Sequence, residues 1–507
     1  MKSIRIENLR CLKDTAEIPL KNLNVLLGTN SSGKSTFLRT FPLLRQSIEV
    51  RKTGPILWYG DYVDFGDFDV AVNKESDEIT FHITIQITAK NEKYKMYRNS
   101  YNFIDETDLT IVINIKGSHE SSYIKSMTIS YFDQIASIDL AEDHKIKSCK
   151  INNIEYKQHI SDYAAVPRLG ILPLLLMPVK DNETPNLFRY QIDDKIISDI
   201  AKLLKLRKSP LDEILIGLGF GSKLRFLEKL RTNTRSPNLN KIVSNWKVDD
   251  SDFIELNNRT ILWLLPNLIE QVDDMLSQEI KNFYYTAPLR AFAQRYYRRQ
   301  DLAISEVDFQ GKNLAMFISS MSSKTKSDFQ KWVSSIFGFY PDTKSSEGHI
   351  SLKLVDDATK EDYNIADRGF GYSQILPIIT QLWSVVNEKR KYNRPGYTNE
   401  IIFTIEQPEL HLHPAMQAKL IDAFISSIKL AEAKGIVLKL IIETHSQTMV
   451  NRIGHRIAKN ELKASDTSIV FFEASSNSAF SNVRLAEFTN EGILEDWPIG
   501  FFDPQDI

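Results

Sequence analysis

Leu23-Asn24-Val25-Leu26-Leu27-Gly28-Thr29-Asn30-Ser31-Ser32-Gly33-Lys34-Ser35 is an apolar run that breaks into a glycine-bounded loop and ends on Lys-Ser. The loop has the pattern G-x-x-x-x-G-K-[ST]. The residues beyond it, with Phe37, Leu38, Phe41 and Leu44 at helical spacing, read as a helix with a buried face. Strand, glycine-rich turn and helix N-terminus together make a phosphate cradle, because the glycines let the loop curl until its N–H groups point inward. The expected nucleotide-binding residues are Asn30, Ser31, Ser32, Gly33, Lys34, Ser35 and Thr36. Lys34 would neutralise the outer phosphates of a triphosphate and Ser35 would ligate Mg²⁺. The bland alternative, a Gly/Ser-rich turn without a ligand, leaves this context unexplained.

Working outward, Ser3–Asn8 alternates apolar and polar residues, as do Glu78–Thr88, Leu109–Ile115 and Ile124–Tyr131, which predicts an antiparallel sheet. Helical spacing then takes over at Ile196–Leu206, Ser222–Leu230 and Ile261–Phe283, with Thr232–Asn240 as a polar break. No sustained heptads predict a long coiled coil.

Three later stretches bear on the loop. Asp367-Arg368-Gly369-Phe370-Gly371-Tyr372-Ser373-Gln374 opens a helix through Ile375, Leu376, Ile378 and Ile379, which offers a second anion cradle without a lysine. Alone it is equally a glycine turn capping a core helix. Glu400–Ile405 is an apolar strand ending on Glu406, followed by Gln407-Pro408-Glu409-Leu410-His411-Leu412-His413-Pro414. An acid at such a strand end holds the water shell of Mg²⁺, so Glu406 is the expected partner of Ser35. Val437–Ile442 runs into Glu443-Thr444-His445-Ser446-Gln447, which places His445 at the ligand-facing edge of an α/β sheet.

Bulk properties narrow the class. The 507 residues carry 42% hydrophobic and 25% charged residues with a net charge of -2, an ordinary globular composition. No apolar run is long enough for a membrane span, and the alternating N-terminus is unlike a signal peptide, so the expected location is the cytoplasm without membrane contact. Two cysteines, Cys11 and Cys149, suit a reducing compartment and make no zinc framework. The charge balance argues against binding nucleic acid over the whole surface. Leu289–Gln300 is the candidate patch, with Arg290, Arg295, Arg298 and Arg299 interleaved with Phe292, Tyr296 and Tyr297. Its alternative reading is an amphipathic helix with solvated arginines.

The order of P-loop, Gly/Ser run, strand-acid-x-Pro-Glu and strand-Thr-His-Ser resembles the ABC/SMC ATPase superfamily. GFGYSQ stands for its signature and ETHS for its switch histidine. The long gap between Ser35 and Gly369 is similar to the SMC, RecF and OLD branch, and GDYVDFG, YTAPLR, DRGFGYSQILPI, EQPELHLHP and WPIGFFD look like ATPases of the PtuA/Septu type and retron-associated relatives. The resemblance implies an α/β fold: a split ABC/SMC-type P-loop ATPase head with a large inserted, mainly helical subdomain. Its parts would be residues 1–90, an insert over 91–282 for dimerisation or partner docking, and 283–507. It further implies a homodimer or higher homo-oligomer with ATP and Mg²⁺ between subunits. Lys34, Ser35, Glu406 and His445 would come from one chain, and Gly369, Gly371, Ser373 and Gln374 from the other. Arg10 sits where some such heads bring an arginine to the nucleotide; a surface arginine is the equal alternative.

One departure bears on mechanism. The superfamily has a glutamate directly after the Mg²⁺ acid, and here Gln407 stands in its place. An amide positions water without accepting its proton, which predicts slow hydrolysis unless Glu409 substitutes. The other role open to Glu409 is capping the next helix. His411 and His413 lack a third ligand at metal spacing and are expected at an interface or in the core. The residues after His445 are expected to form closing strands and a terminal plug rather than a Toprim-like nuclease domain, and the long insert disagrees with a transporter motor. The leading expectation is a regulatory ATPase of bacterial anti-phage defence acting through a separate HNH nuclease subunit, with phage or retron DNA as a possible further partner. The alternative is a RecF/SMC-like DNA-repair ATPase that binds DNA itself.

Overall fold

The computed structural model describes residues 1–87, 106–160, 163–178, 188–189, 194–232, 237–300, 304–387, 399–474 and 480–495. WPIGFFD, at 497–503, lies outside them. Two compact units emerge: one from Ile18–Pro42 and the described residues from Asn282 onward, the other from the described residues of Met1–Glu17 and Leu43–Lys281.

The first unit is built on a six-stranded sheet in the order Phe283–Thr286, Glu400–Glu406, Val437–Glu443, Leu23–Gly28, Thr467–Ala474, Ser481–Ala486. The first five strands run parallel and the last is antiparallel. Leu23–Gly28 is buried at every position, as a mainly apolar strand is when both faces of a parallel sheet are covered, and its one polar side chain, Asn24, donates to the Lys21 and Leu440 carbonyls. Helices Phe370–Asn387 and Pro414–Ala433 contribute to the same core, with Ile379, Leu382, Phe424 and Ile428 joining Val25, Phe403 and Leu440. Phe37, on the helix Lys34–Glu49, packs its ring against Phe41 and Phe472. This is the α/β P-loop head expected from the sequence. Its order brings the loops after Gly28, Glu406 and Glu443 to the C-terminal edge of neighbouring strands, where such sheets bind ligands.

Leu289–Gln300 departs from the helical reading. Only Tyr297–Arg298 is regular, as a short strand against His349–Asp356. Leu289, Phe292 and Tyr296 are exposed while Arg290 is buried, so the segment has no apolar stripe to bury as a helix, and Pro288 precedes it. The loss of Arg290 to the interior also removes one cation from the candidate nucleic-acid patch.

The second unit is an antiparallel sheet in the order Ile154–Glu155, Ile146–Ile151, Gln134–Leu140, Ser122–Tyr131, Thr107–Gly117, Glu78–Ile87, Ser3–Leu9, Leu12–Asp14. Its strands alternate buried and open residues, and helices follow it in the chain, the longest being Ser251–Ile280. That helix begins at Ser251 rather than Ile261. Its early buried face includes Asn257 and Asn258, whose amides pair with Gln134 and Asn152 at 2.7–3.1 Å, so polar residues occupy positions where the sequence pattern looks for apolar ones. No helix among the described residues is long and apolar enough to cross a membrane.

Candidate nucleotide site

The P-loop leaves its strand through two glycines at positive φ, Gly28 at 154° and Gly33 at 94°. A Cβ on Gly28 would lie 2.2 Å from the Phe472 carbonyl oxygen, so only glycine fits where the loop turns away from the neighbouring strand. Ser32 is buried and its hydroxyl donates to the Thr29 carbonyl at 2.8 Å. Asn30 and Ser31 are exposed, and Thr36 lies buried in the first helical turn. Lys34 is 3% exposed and its ammonium donates to the carbonyls of Gly28 and Thr29 at 3.0 and 2.6 Å. Burial lowers its pKa, against the opposing field of Glu443. A buried cation held only by loop carbonyls fits an anion such as a phosphate.

The acids are arranged otherwise than expected. Glu406 and Glu443 end adjacent parallel strands as direct register partners, and it is Glu443, not Glu406, that meets Ser35, whose hydroxyl donates to Glu443 Oε1 at 2.9 Å. Glu406 is engaged elsewhere. Arg39, one turn along the P-loop helix, grips it with Nε and Nη2 at 2.7 and 2.8 Å, and the Tyr285 hydroxyl donates to it at 2.8 Å. That grip raises the Arg39 pKa. Burial, and then the charge of Glu406, push Glu443 up to about 7, and its Oε2 is buried without a hydrogen-bond partner. A serine hydroxyl and two carboxylates suit a hard cation such as Mg²⁺. The sequence signal for Glu443 was the same as for Glu406, an acid closing a buried strand.

Beyond the strand end, Gln407 adopts φ 40° and its N–H donates to the Glu443 carbonyl at 2.8 Å. Left-handed backbone is unfavourable for glutamine and marks a locally strained turn. Glu409 does not cap the following helix; His413 does, its Nδ1 accepting from the Ala415 N–H at 3.2 Å. Instead Glu409 Oε1 accepts the His445 N–H at 2.7 Å, while Oε2 is buried without a partner. Burial raises the Glu409 pKa. Burial lowers that of His445, with the Lys34 charge acting in the same direction, and His445 Nε2 is also buried without a partner. Arg290, which sequence reasoning placed on the surface, is 4% exposed and donates from Nη2 to the Glu406 carbonyl at 2.8 Å. Burial lowers its pKa to about 10.

The glycine-serine run divides at the start of its helix. Arg368, Gly369 and Phe370 are exposed, whereas Ser373 and Gln374 turn inward, the Ser373 hydroxyl donating to the Phe370 carbonyl at 2.7 Å. Gly371 lies against the Pro-Glu turn, where a Cβ would come within 2.9 Å of the His411 carbonyl oxygen. The Phe370 ring meets Phe292 at 4.9 Å and His411 at 5.0 Å. Arg10, in the other unit, stacks 4.4 Å from the Phe65 ring centre and donates to the Asp64 carbonyl at 3.2 Å.

A P-loop between parallel strands, with a buried lysine, a hydroxyl and two strand-end carboxylates, defines an α/β P-loop ATPase. The family described as an AAA ATPase domain matches residues 1–450, and the chain belongs to it. No curated protein matches. Solved structures similar to the chain include an SMC head bound to the C-winged helix domain of ScpA, at 11% identity and TM-score 0.34, covering 96% of this chain and 98% of that one. The SMC head domain with an extended coiled coil bound to the C-terminal domain of ScpA, from Pyrococcus furiosus, gives 12%, 0.34, 96% and 96%. The SMC head domain from Thermotoga maritima gives 7%, 0.35, 95% and 97%.

Proposed function

We propose that the chain is a regulatory ATPase that binds ATP with Mg²⁺ at this site, closes into a nucleotide-bridged homodimer, and through that closure controls a separate nuclease of the HNH type in bacterial anti-phage defence, in the cytoplasm. Gln407 carries the reading: an amide follows the strand-end acid beside a full set of phosphate- and metal-binding groups, which favours holding ATP over consuming it. Lys34 and the loop from Asn30 to Thr36 bind the phosphates, and Ser35, Glu406 and Glu443 face the metal. Support for dimer closure comes from the exposed end of the signature run, where the Phe370 ring meets that of Phe292, 73% exposed, and Gly369 has open space around it. Apolar side chains grouped on a surface mark an interaction site. The nuclease, and phage or retron DNA as a further partner, rest on the sequence resemblance alone.

The test is a single-turnover comparison of the native chain with Gln407→Glu, with retained nucleotide identified by mass spectrometry. The expected result is native protein that retains ATP and a variant that hydrolyses it at least tenfold faster. A native rate of many turnovers per second, unchanged in the variant, would refute the switch. Co-purification from the native operon tests the nuclease.

A further inference from the structure

The nucleotide reading leaves a set of buried polar atoms unused beyond the strand ends: Nε and Nη1 of Arg290 and Oε2 of Glu409, none with a hydrogen-bond partner. We propose that Glu409 takes the proton from the water that attacks ATP, and that Arg290 is a positioning residue that holds the Glu406–Glu409 turn and balances the charge of Glu409. The inference rests on the ATP-binding reading above and names the group through which the slow hydrolysis runs.

Elimination among the acids leads to Glu409. Gln407 has no basic lone pair at neutral pH. Glu406 is held by Arg39 and Tyr285, and Glu443 by Ser35. Glu443 also pairs a fixed oxygen with an unpartnered one, but it meets Ser35 on the side assigned to the metal. Glu409 stands outside that set: the His445 N–H anchors its Oε1 at 2.7 Å, and its Oε2 has no hydrogen-bond partner. A proton acceptor must be both rigid and unoccupied. Rigidity comes from the turn, where Pro408 fixes its own φ and the Leu412 N–H donates to the Glu409 carbonyl at 3.0 Å. The anchor also joins Glu409 to the segment just past the strand Val437–Glu443, which pairs directly with the P-loop strand Leu23–Gly28. Arg290 holds the turn at its first residue. One of its nitrogens is spent on the Glu406 carbonyl, and the strongest favourable field on its buried charge is that of Glu409. A guanidinium with two unpaired nitrogens in the interior needs such a counter-charge.

In the step itself, the water oxygen bonds to the γ-phosphorus as the bond from that phosphorus to the bridging oxygen breaks. The electron pair leaves on ADP, and the water proton passes to Glu409 Oε2.

Six proteins test this: native, Glu409→Gln, Glu409→Gln with Gln407→Glu, Arg290→Lys, Arg290→Met, and Glu409→Gln with Arg290→Met. Glu409→Gln is isosteric and is expected to bind ATP within about threefold of native by calorimetry while single-turnover conversion slows by about 10² to 10⁴. Adding Gln407→Glu should recover at least about tenfold of that loss, because a carboxylate returns two residues away. Arg290→Lys should keep more of the rate than Arg290→Met. Melting temperatures of Glu409→Gln, Arg290→Met and their double variant are expected to be non-additive, a pairing readout independent of hydrolysis. The proposal is overturned if Glu409→Gln binds ATP and converts it at the native rate, if the native chain binds ATP and converts none, or if the melting temperatures simply add. A native chain that binds no ATP would instead overturn the nucleotide reading on which the proposal stands.

Discussion

Glu443 shows how much one side chain can carry without a motif to announce it. Its pKa of about 7 lies above the ordinary 4.5. Between those pH values the folded chain keeps a proton that the unfolded chain has lost, so this contribution to stability is full below about pH 4.5 and gone once the pH has risen through 7. The shift corresponds to about 3 kcal/mol at most. Glu443→Gln should therefore melt higher than native at pH 8 and close to native at pH 4.5, and should weaken Mg²⁺-dependent ATP binding; calorimetry in both buffers checks each part. Lys34→Ala is expected to cost ATP affinity about 100-fold or more, about 3 kcal/mol, by titration calorimetry, because the phosphates lose their buried cation. Lys34 and Ser35 were legible because a motif fixes them. Arg290 was not, since an arginine among aromatics reads as surface, and only the fold turns it under Glu406.

Among the elements, the helix Phe370–Asn387 separates two glycines that look alike in sequence. A Cβ at Gly371 would press on the His411 carbonyl at 2.9 Å and Leu412 Cδ2 at 3.2 Å, whereas a Cβ at Gly369 meets nothing within 4 Å. Gly371→Ala should therefore cost about 1–2 kcal/mol in urea unfolding as the Pro-Glu turn shifts, and Gly369→Ala should be close to neutral. Equal effects would contradict this packing. Elements with a clean period were readable: the strands expected at 78–88, 109–115 and 124–131 are Glu78–Ile87, Thr107–Gly117 and Ser122–Tyr131. The start of Ser251–Ile280 was hidden by buried amides, and Leu289–Gln300 imitated a helix through residues that in fact divide between solvent and core.

For the whole molecule, the sequence order of P-loop, acid-ended strand and histidine-ended strand was enough to anticipate an α/β head, since such strands have few ways to bring their ends together. The strand order of the antiparallel sheet was not readable, because alternation says which face is buried and nothing about which strand is the neighbour. Nucleotide-bridged closure makes a prediction at this scale. Gly369 has open space around it and lies at the exposed end of the run, so Gly369→Arg should preserve ATP affinity in the single chain yet abolish ATP-dependent association by light scattering. Association at the native level would sink the bridged dimer. The mutation is a sharper probe than one at Ser373, which is 6% exposed and bonded within its own turn.

Arg39 gives the site a counterion of its own. Because its guanidinium already occupies both oxygens of Glu406, a metal can reach that carboxylate only by ion exchange, and a bare dication offers the displaced arginine nothing to pair with. Phosphates do. On the proposed function, metal and nucleotide would thereby be coupled, each raising the affinity for the other by the same factor, and an abundant cation would not by itself set the switch. Arg39→Gln should uncouple them: Mn²⁺ should bind the nucleotide-free variant in an electron paramagnetic resonance titration that leaves the native chain unloaded.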